Sequence, residues 1–145
     1  MPSFTRSAES VWKGGGPDGK GALTTQSGVL SGIPYAAKMR FGDEKGTNPE
    51  ELLAAAHSGC FNMALAFDLG KAGHTPEELR TTAKVTVESV GNGFAITKIR
   101  LELKGRVPGM SDADFKQAAE GAKAGCPVSK LFKGAEITLN AQLTS

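Results

Sequence analysis

The chain has 145 residues, and its 17 basic and 15 acidic side chains leave a formal net charge of +2. We expect one domain, residues 1–145, because this length can bury a core that folds without disulfides. So small and scattered a charge argues against a nucleic-acid partner. The first residues lack the apolar segment of a secretory signal, and no run is expected to reach the length of a membrane span. The sequence therefore predicts a cytoplasmic protein with no membrane partner.

The first forty residues have the pattern of short strands joined by turns. Residues 7–13 and 21–27 are predicted to be extended, and the segment 14–19 between them is rich in the glycine and proline that form turns. A third strand is predicted over residues 35–41.

A long helix is predicted from residue 49 to about residue 69. Asn48 is a good N-cap, Pro49 suits the first helical position, and Glu51 completes the spacing of a capping box. Two glycines just beyond residue 69 are expected to end the helix. Because Leu, Ala, Met and Phe occur on nearly all its sides, we expect the helix to be buried.

The second half of the chain predicts a hairpin, a helix and a last strand. Residues 82–90 and 94–105 alternate in polarity around a Gly-Asn-Gly turn. Ser111 is expected to cap a helix that ends near Gly125, and residues 136–143 alternate again. In the second hairpin strand, the side chains expected to point inward are Ile99, Leu101 and Leu103. The order β-β-β-α-β-β-α-β is an α+β pattern.

Cys60 is one of the two cysteines, and it falls three turns into the predicted long helix. At that depth the helix dipole no longer acts, and a buried thiol has a raised pKa and reacts poorly. Unless a cation lies nearby, Cys60 is a packed core residue. Arg40 and His57, which is one turn earlier on the same helix face, are the candidates for that cation.

Cys126 lies between Gly125, which can end one helix, and Pro127, which can begin a short one. At such an N-cap its sulfur would face free backbone N–H groups, which favour anionic sulfur. Taken alone, Cys126 is better explained as a small residue at a helix junction. In a cytoplasmic chain, however, two cysteines are more often catalytic or metal-binding than a structural disulfide.

Other arrangements of the same residues remain open at this point. A zinc site would need four ligands, and the available soft ligands are Cys60, Cys126, His57 and His74. His74 follows a predicted helix end, where a solvated surface histidine is more common. A Cys–His dyad would need a third, orienting group. The two glutamates in the first turn of the long helix are typical of helix capping.

Three segments, residues 40–61, 93–99 and 122–129, contain both cysteines and Arg40. They closely resemble the OsmC/Ohr family, the osmotically inducible protein C and organic hydroperoxide resistance proteins of bacteria. The likeness covers nearly the whole chain and is strongest to the osmotically inducible protein C branch.

The resemblance implies a thiol peroxidase with four functional residues. Cys60 resembles the peroxidatic cysteine and Cys126 the resolving cysteine, which would close an intramolecular disulfide. Arg40 resembles the arginine that holds the thiolate, and Glu50 the carboxylate that orients this arginine. His57 matches no catalytic role in the family.

The resemblance also implies partners. These are an organic hydroperoxide substrate, a dithiol reductant such as dihydrolipoamide or a lipoylated protein, and a second copy of the chain. The dimer would be intertwined, with antiparallel sheets wrapped around buried central helices. No cofactor or metal is expected. An apolar wall from Ile33, Tyr35, Met63 or Phe67 would favour organic peroxides over hydrogen peroxide. The alternatives are a non-catalytic redox sensor and a metal-binding stress protein.

Overall fold

The computed structural model describes residues 2–144, so that the two ends of the predicted domain, Met1 and Ser145, lie outside the described residues. The chain divides into two compact units, Met1–Leu52 and Leu53–Ser145, which we call unit 1 and unit 2.

Unit 1 contains a three-stranded antiparallel sheet and a short helix. The strands are β1 (Ala8–Lys13), β2 (Lys20–Thr25) and β3 (Ile33–Tyr35), and they lie in the order β1-β2-β3. The predicted turn connects β1 to β2, which pair antiparallel, and its Gly14 has a φ of 97° that favours glycine. The first two predicted strands are therefore confirmed.

The predicted third strand, residues 35–41, is largely wrong. The strand ends at Tyr35, and helix α1 (Ala37–Phe41) takes its place. All four residues from Ala37 to Arg40 are strong helix formers, a local preference that the strand assignment overlooked. The side chain of Asn48 also donates to the carbonyl of Met39 at 3.1 Å, which ties the short helix to the start of the next one.

Helix α2 (Pro49–Lys71) begins as the sequence predicts and ends two residues later. The side-chain oxygen of Asn48 accepts a hydrogen bond from the backbone of Glu51 at 2.9 Å, so the N-cap is confirmed. Beyond the helix, the N–H of His74 bonds the carbonyl of Leu69 at 2.9 Å, across a glycine with positive φ.

The expectation that no run reaches the length of a membrane span needs correction. By length and composition alone, the 23-residue helix α2 is long and apolar enough to cross a membrane, with a mean hydropathy of 1.3 over its most apolar part. Core helices of water-soluble proteins meet the same test. Phe61, Leu65 and Leu69 of α2 lie in the hydrophobic core of unit 2, and 22% of the apolar part of the helix is buried within the chain.

Unit 2 contains the rest of α2, a second sheet and two helices. The strands are β4 (Glu78–Val90), β5 (Gly93–Arg106) and β6 (Glu136–Leu143), in the order β4-β5-β6. Helices α3 (Asp112–Gly125) and α4 (Pro127–Leu131) connect β5 to β6. The predicted hairpin and the last strand are confirmed, although β4 begins four residues earlier than expected.

The second sheet is mixed, whereas antiparallel sheets were expected. Strands β4 and β5 are antiparallel, but β6 lies parallel to β5, with Ile137 beside Ile99 and Leu139 beside Leu101. A parallel neighbour requires a long crossover, and α3 with α4 provides it. The α+β class is confirmed, with the fuller order β-β-β-α-α-β-β-α-α-β.

The core of unit 2 lies between the sheet and the helices. Its fully buried members include the three β5 residues that were expected to point inward, Ile99, Leu101 and Leu103. Helix α3 contributes Phe115 to the same core, and its predicted cap is confirmed, since the Ser111 hydroxyl accepts from the backbone N–H of Asp114 at 3.1 Å. The alternating pattern of β5 therefore determines which face of the sheet is covered.

Candidate active site

Two free cysteines, Cys60 and Cys126, lie against each other in unit 2. Cys60 is half-buried on α2, and Cys126 is fully buried at the junction of α3 and α4. The Cys126 N–H bonds the Ala122 carbonyl at 2.9 Å to close α3, and Pro127 opens α4 directly afterwards. The Cys126 thiol donates to the Cys60 sulfur at 2.7 Å. The structure thus brings together two cysteines that are 66 positions apart in the sequence.

Burial raises the pKa of the Cys60 thiol, and the neighbouring Cys126 thiol raises it further. The backbone N–H of Val128, in the first turn of α4, hydrogen-bonds the Cys60 sulfur and acts in the opposite direction. Cys126 lies at the N-cap of this helix as expected, but its sulfur makes no capping hydrogen bond among the residues that the structure describes. The Val128 N–H at the start of α4 bonds the Cys60 sulfur instead.

Arg40 and Glu50 form an ion pair within unit 1. The Arg40 Nε donates to both carboxylate oxygens of Glu50, at 2.9 and 3.1 Å. Glu50 is buried, whereas the Arg40 side chain is 38% exposed. Short helix α1 carries the arginine and the first turn of α2 carries the glutamate, so local structure sets this pair. Among the residues that the structure describes, the two Nη nitrogens of Arg40 donate to no acceptor, and the guanidinium retains donors for a ligand.

A cavity of about 170 Å³ lies beside the arginine in unit 1. Its lining combines the Arg40 side chain with the aromatic rings of Trp12, Tyr35 and Phe41. Tyr35 was one of the four residues considered for an apolar wall. The arrangement places a cation at the edge of a mainly apolar space, which suits a ligand with one polar end.

His57 is fully buried in unit 2, and its Nε2 lies 2.7 Å from the hydroxyl oxygen of Ser129. Its ring packs against the Phe132 ring in a T-shaped arrangement, with the ring centroids 5.4 Å apart. Burial lowers the pKa of His57, so the neutral imidazole is favoured. His57 was expected as a cation beside Cys60, a member of a Cys–His dyad or a zinc ligand, and its bond with Ser129 was not predicted. The available signal was that Ser129 follows Cys126 by three residues, as Cys60 follows His57.

No group of three or more His, Cys, Asp or Glu side chains within residues 2–144 is arranged to hold a metal ion. His74, the fourth soft ligand considered for zinc, lies half-buried just after the glycine that follows α2.

A second feature of α2 is an exposed apolar stripe, formed by Ala56, Gly59, Met63 and Phe67. The spacing of three, four and four residues places them on one helix face. Met63 is 63% exposed and Phe67 is 66% exposed in the single chain. Exposed apolar side chains grouped on one helix face are typical of interaction surfaces.

Comparison with known proteins identifies the family. The model of the family described as OsmC-like protein matches residues 42–141, which include Glu50, Cys60 and Cys126 and begin just after Arg40. The chain belongs to the OsmC family. The resemblance found in the sequence is thereby confirmed.

Two curated relatives in this family cover almost the whole chain. The chain is 51% identical to Peroxiredoxin OsmC of Escherichia coli K12 over 140 residues, 97% of each protein. It is 30% identical to the organic hydroperoxide resistance protein OhrA of Bacillus subtilis over 148 residues, 96% of each. Among solved structures, an organic hydroperoxide resistance protein from Elizabethkingia anophelis is 28% identical and superposes with a TM-score of 0.77, covering 99% of both chains.

Proposed function

We propose that this chain is a cysteine-based peroxidase that reduces organic hydroperoxides, and hydrogen peroxide less well, at the expense of a thiol. The observation that carries the proposal is the pair of free thiols at Cys60 and Cys126, 2.7 Å apart. Relatives named as a peroxiredoxin and as organic hydroperoxide resistance proteins support the same chemistry.

In the first step, the Cys60 thiolate attacks the O–O bond of the hydroperoxide. A sulfur–oxygen bond forms, the O–O bond breaks, and the leaving alkoxide takes up a proton to become an alcohol. Cys60 is left as a sulfenic acid. The Val128 N–H bond to the Cys60 sulfur supports the thiolate that this step needs.

Arg40 supplies the positive charge for this step. Because burial raises the pKa of Cys60, the thiolate needs a cation, and the alkoxide that leaves needs a donor. The bond of Glu50 to Nε fixes the guanidinium plane and leaves the two Nη groups for the reacting atoms. The cavity beside Arg40, with Tyr35 in its wall, suits the apolar part of an organic hydroperoxide.

In the second step, the Cys126 sulfur attacks the sulfenic sulfur of Cys60. A disulfide forms, and the sulfenic hydroxyl leaves with the thiol proton as water. The close approach of the two sulfur atoms supports closure within one chain. A dithiol, such as dihydrolipoamide or a lipoylated protein, then returns both cysteines to thiols.

The functional protein is an intertwined homodimer in the cytoplasm, and residues 1–145 act as a single thiol peroxidase domain. The exposed stripe on α2 supports the dimer, because the side chains of Met63 and Phe67 are large and apolar and a second copy would cover them. A central helix whose exposed face is covered only in the dimer also accounts for its apolar character on nearly all sides.

A steady-state assay tests the function. Purified protein receives dihydrolipoamide and, in separate reactions, cumene hydroperoxide, t-butyl hydroperoxide or hydrogen peroxide. We expect repeated turnover with a higher kcat/KM for the two organic peroxides. Stoichiometric oxidation without turnover would indicate a redox sensor, and equal kcat/KM for all three peroxides would contradict the substrate preference.

A further inference from the structure

The buried pair His57 and Ser129 forms a second bridge between the helices that carry the cysteines. On α2, His57 precedes Cys60 by three residues, and after Cys126 the chain reaches Ser129 in three residues. Positions three apart in a helix lie on one face, one turn from each other. The hydrogen bond between His57 and Ser129 and the contact between the two thiols therefore lie one turn apart along the same helix pair.

Helix α4 depends on this bridge more than a longer helix would. It has five residues, of which Ser129 is the buried one, and no side chain in the described part of the chain caps its start. Helices this short have little stability of their own and are held by tertiary contacts. Contacts with His57 join α4 to α2. The Ser129 hydroxyl is hydrogen-bonded to His57, and the ring of Phe132, at the end of α4, packs against the same imidazole. The start of α4 is where Cys126 lies.

We propose that the His57–Ser129 hydrogen bond positions Cys126 for disulfide closure, and that both are positioning residues for the resolving step. This inference rests on the proposed peroxidase function. The bond fixes α4 one turn beyond the cysteine, and so keeps the Cys126 sulfur at the Cys60 sulfur while the sulfenic acid is present. It acts through the placement of α4 and touches no reacting atom.

The unpaired nitrogen of His57 indicates which way the bond runs. Nδ1 is buried, and within the described residues it has no hydrogen-bond partner. A buried N–H without an acceptor is rarer than a lone pair without a donor. The proton therefore lies on Nε2, which donates to the Ser129 oxygen. This tautomer is neutral, in agreement with the burial that lowers the pKa of His57.

The consequence of losing the bond is a change in the fate of the sulfenic acid. Two reactions compete for it. Attack by the Cys126 thiol gives the disulfide and water, whereas a second hydroperoxide transfers an oxygen to Cys60, giving a sulfinic acid and a second alcohol. If α4 is held less firmly, closure slows while the second reaction is unaffected. The ratio of sulfinic acid to disulfide therefore measures how well Cys126 is positioned.

The test compares variants of the bridge by this ratio. Ser129→Ala removes the acceptor, and His57→Leu removes the donor. His57→Gln keeps a side-chain N–H near the position of Nε2 and should restore the bond. The matched control is Ser58→Ala, because the Ser58 hydroxyl, also on α2, donates within residues 2–144 only to the helix carbonyl of Ala55. Each protein is reduced, treated with a series of cumene hydroperoxide concentrations without reductant, and analysed by mass spectrometry.

We expect Ser129→Ala and His57→Leu to raise the sulfinic fraction by at least about fivefold, the order of one lost hydrogen bond. The sulfinic fraction of His57→Gln and Ser58→Ala should stay close to wild type. In Ser129→Ala and His57→Leu, the initial burst, in which one equivalent of peroxide is consumed per chain, should slow less than disulfide closure. Should Ser129→Ala fail to fold, the comparison of His57→Leu with His57→Gln gives the same answer.

Two results would overturn the inference. One is an unchanged sulfinic fraction in both Ser129→Ala and His57→Leu. The other is an equal loss of the burst and of closure, with no recovery in His57→Gln, which would indicate a general structural role. Failure of the peroxidase proposal looks different, since wild-type protein itself would then show no burst and no turnover.

Discussion

The charged pair of unit 1 and the thiol pair of unit 2 are built in opposite ways. Arg40 and Glu50 are ten residues apart in the sequence. Arg40 lies on the short helix α1 and Glu50 on the first turn of α2, so the ion pair forms between neighbouring segments of the chain. Cys60 and Cys126 are 66 residues apart and meet only because the chain passes through a hairpin and α3 before it returns to α2. The charge chemistry is local in sequence, and the sulfur chemistry depends on the tertiary fold.

In the part of the chain that the structure describes, the thiol pair lacks a nearby cation within unit 2, and the charged pair lacks a sulfur nucleophile within unit 1. In unit 2, burial and the second thiol raise the pKa of Cys60, and the Val128 N–H is the one favourable influence found on the thiolate among the described residues. In unit 1, the guanidinium of Arg40 has two Nη groups with no acceptor among the described residues. A peroxidase needs both the sulfur and the cation in its first step, so a change in either pair should lower the rate of peroxide reduction.

The largest effect is expected from Cys60→Ser. A serine hydroxyl is a far weaker nucleophile than a thiolate at neutral pH, so peroxide reduction should fall below about 0.1% of wild type. The assay is cumene hydroperoxide consumption with dihydrolipoamide as reductant. Substantial residual turnover in a folded variant would place the peroxidatic centre elsewhere in the chain.

Arg40→Lys should lower kcat/KM by at least about tenfold, or about 1.4 kcal/mol in the barrier. Lysine keeps the charge but cannot hold Glu50 through one nitrogen and present two others to the reacting atoms. The control Arg80→Lys changes an exposed arginine, paired with Glu78, by the same substitution and should retain wild-type activity.

The pH dependence of Arg40→Met tests whether the Arg40 guanidinium stabilises the Cys60 thiolate. The thiolate is the reactive form, and the pKa of Cys60 is raised by its surroundings in unit 2. Without the guanidinium, the rate should therefore increase continuously with pH up to and beyond the usual pKa of a cysteine, whereas the wild-type rate should level off at lower pH. Identical profiles would mean that Arg40 does not stabilise the thiolate.

Met63→Glu should weaken the dimer by at least about a hundredfold, because a carboxylate would be buried against apolar side chains. Sedimentation over a range of micromolar concentrations measures the effect. Gln117→Glu adds the same charge to an exposed position on α3 and serves as the control. A wild-type protein that is monomeric and active would refute the dimer proposal.

The smallest effect concerns His57 and the pH dependence of stability. Its pKa is lowered in the folded protein, so the unfolded chain binds a proton more readily once the pH falls below about 6.5. The contribution of the neutral imidazole is therefore present above this pH and is lost as the pH decreases further. Urea unfolding at pH 7.5 and 5.5 should show a larger loss of unfolding free energy in wild type than in His57→Gln. Equal losses would contradict this assignment.

Much of the fold could be predicted from the sequence, because the signals are local. The caps at Asn48 and Ser111 mark two helix starts, and both make the expected hydrogen bonds. The alternation around Ile99 and Leu101 identifies the buried face of β5. The predicted third strand was wrong because the helix preference of the four residues 37–40 was overlooked.

The features that the sequence did not reveal all depend on contacts between distant segments. The parallel pairing of β6 follows from how α3 and α4 return the chain, which no local pattern encodes. The Val128 N–H reaches Cys60, and Ser129 reaches His57, because α4 packs on α2. The four residues of the proposed site, Arg40, Glu50, Cys60 and Cys126, came from the family resemblance, since local spacing favoured a packed core cysteine and left a metal site open as an alternative.

Peptide mapping of the oxidised wild-type protein tests the central claim most directly. The reduced protein is treated with one equivalent of cumene hydroperoxide per chain, alkylated, and digested without reductant. The account predicts a loss of two hydrogen atoms per chain and a linked peptide that joins Cys60 to Cys126 of the same chain. Oxidised protein in which Cys126 remains free to be alkylated, or in which the link joins two different chains, would contradict the two-cysteine mechanism.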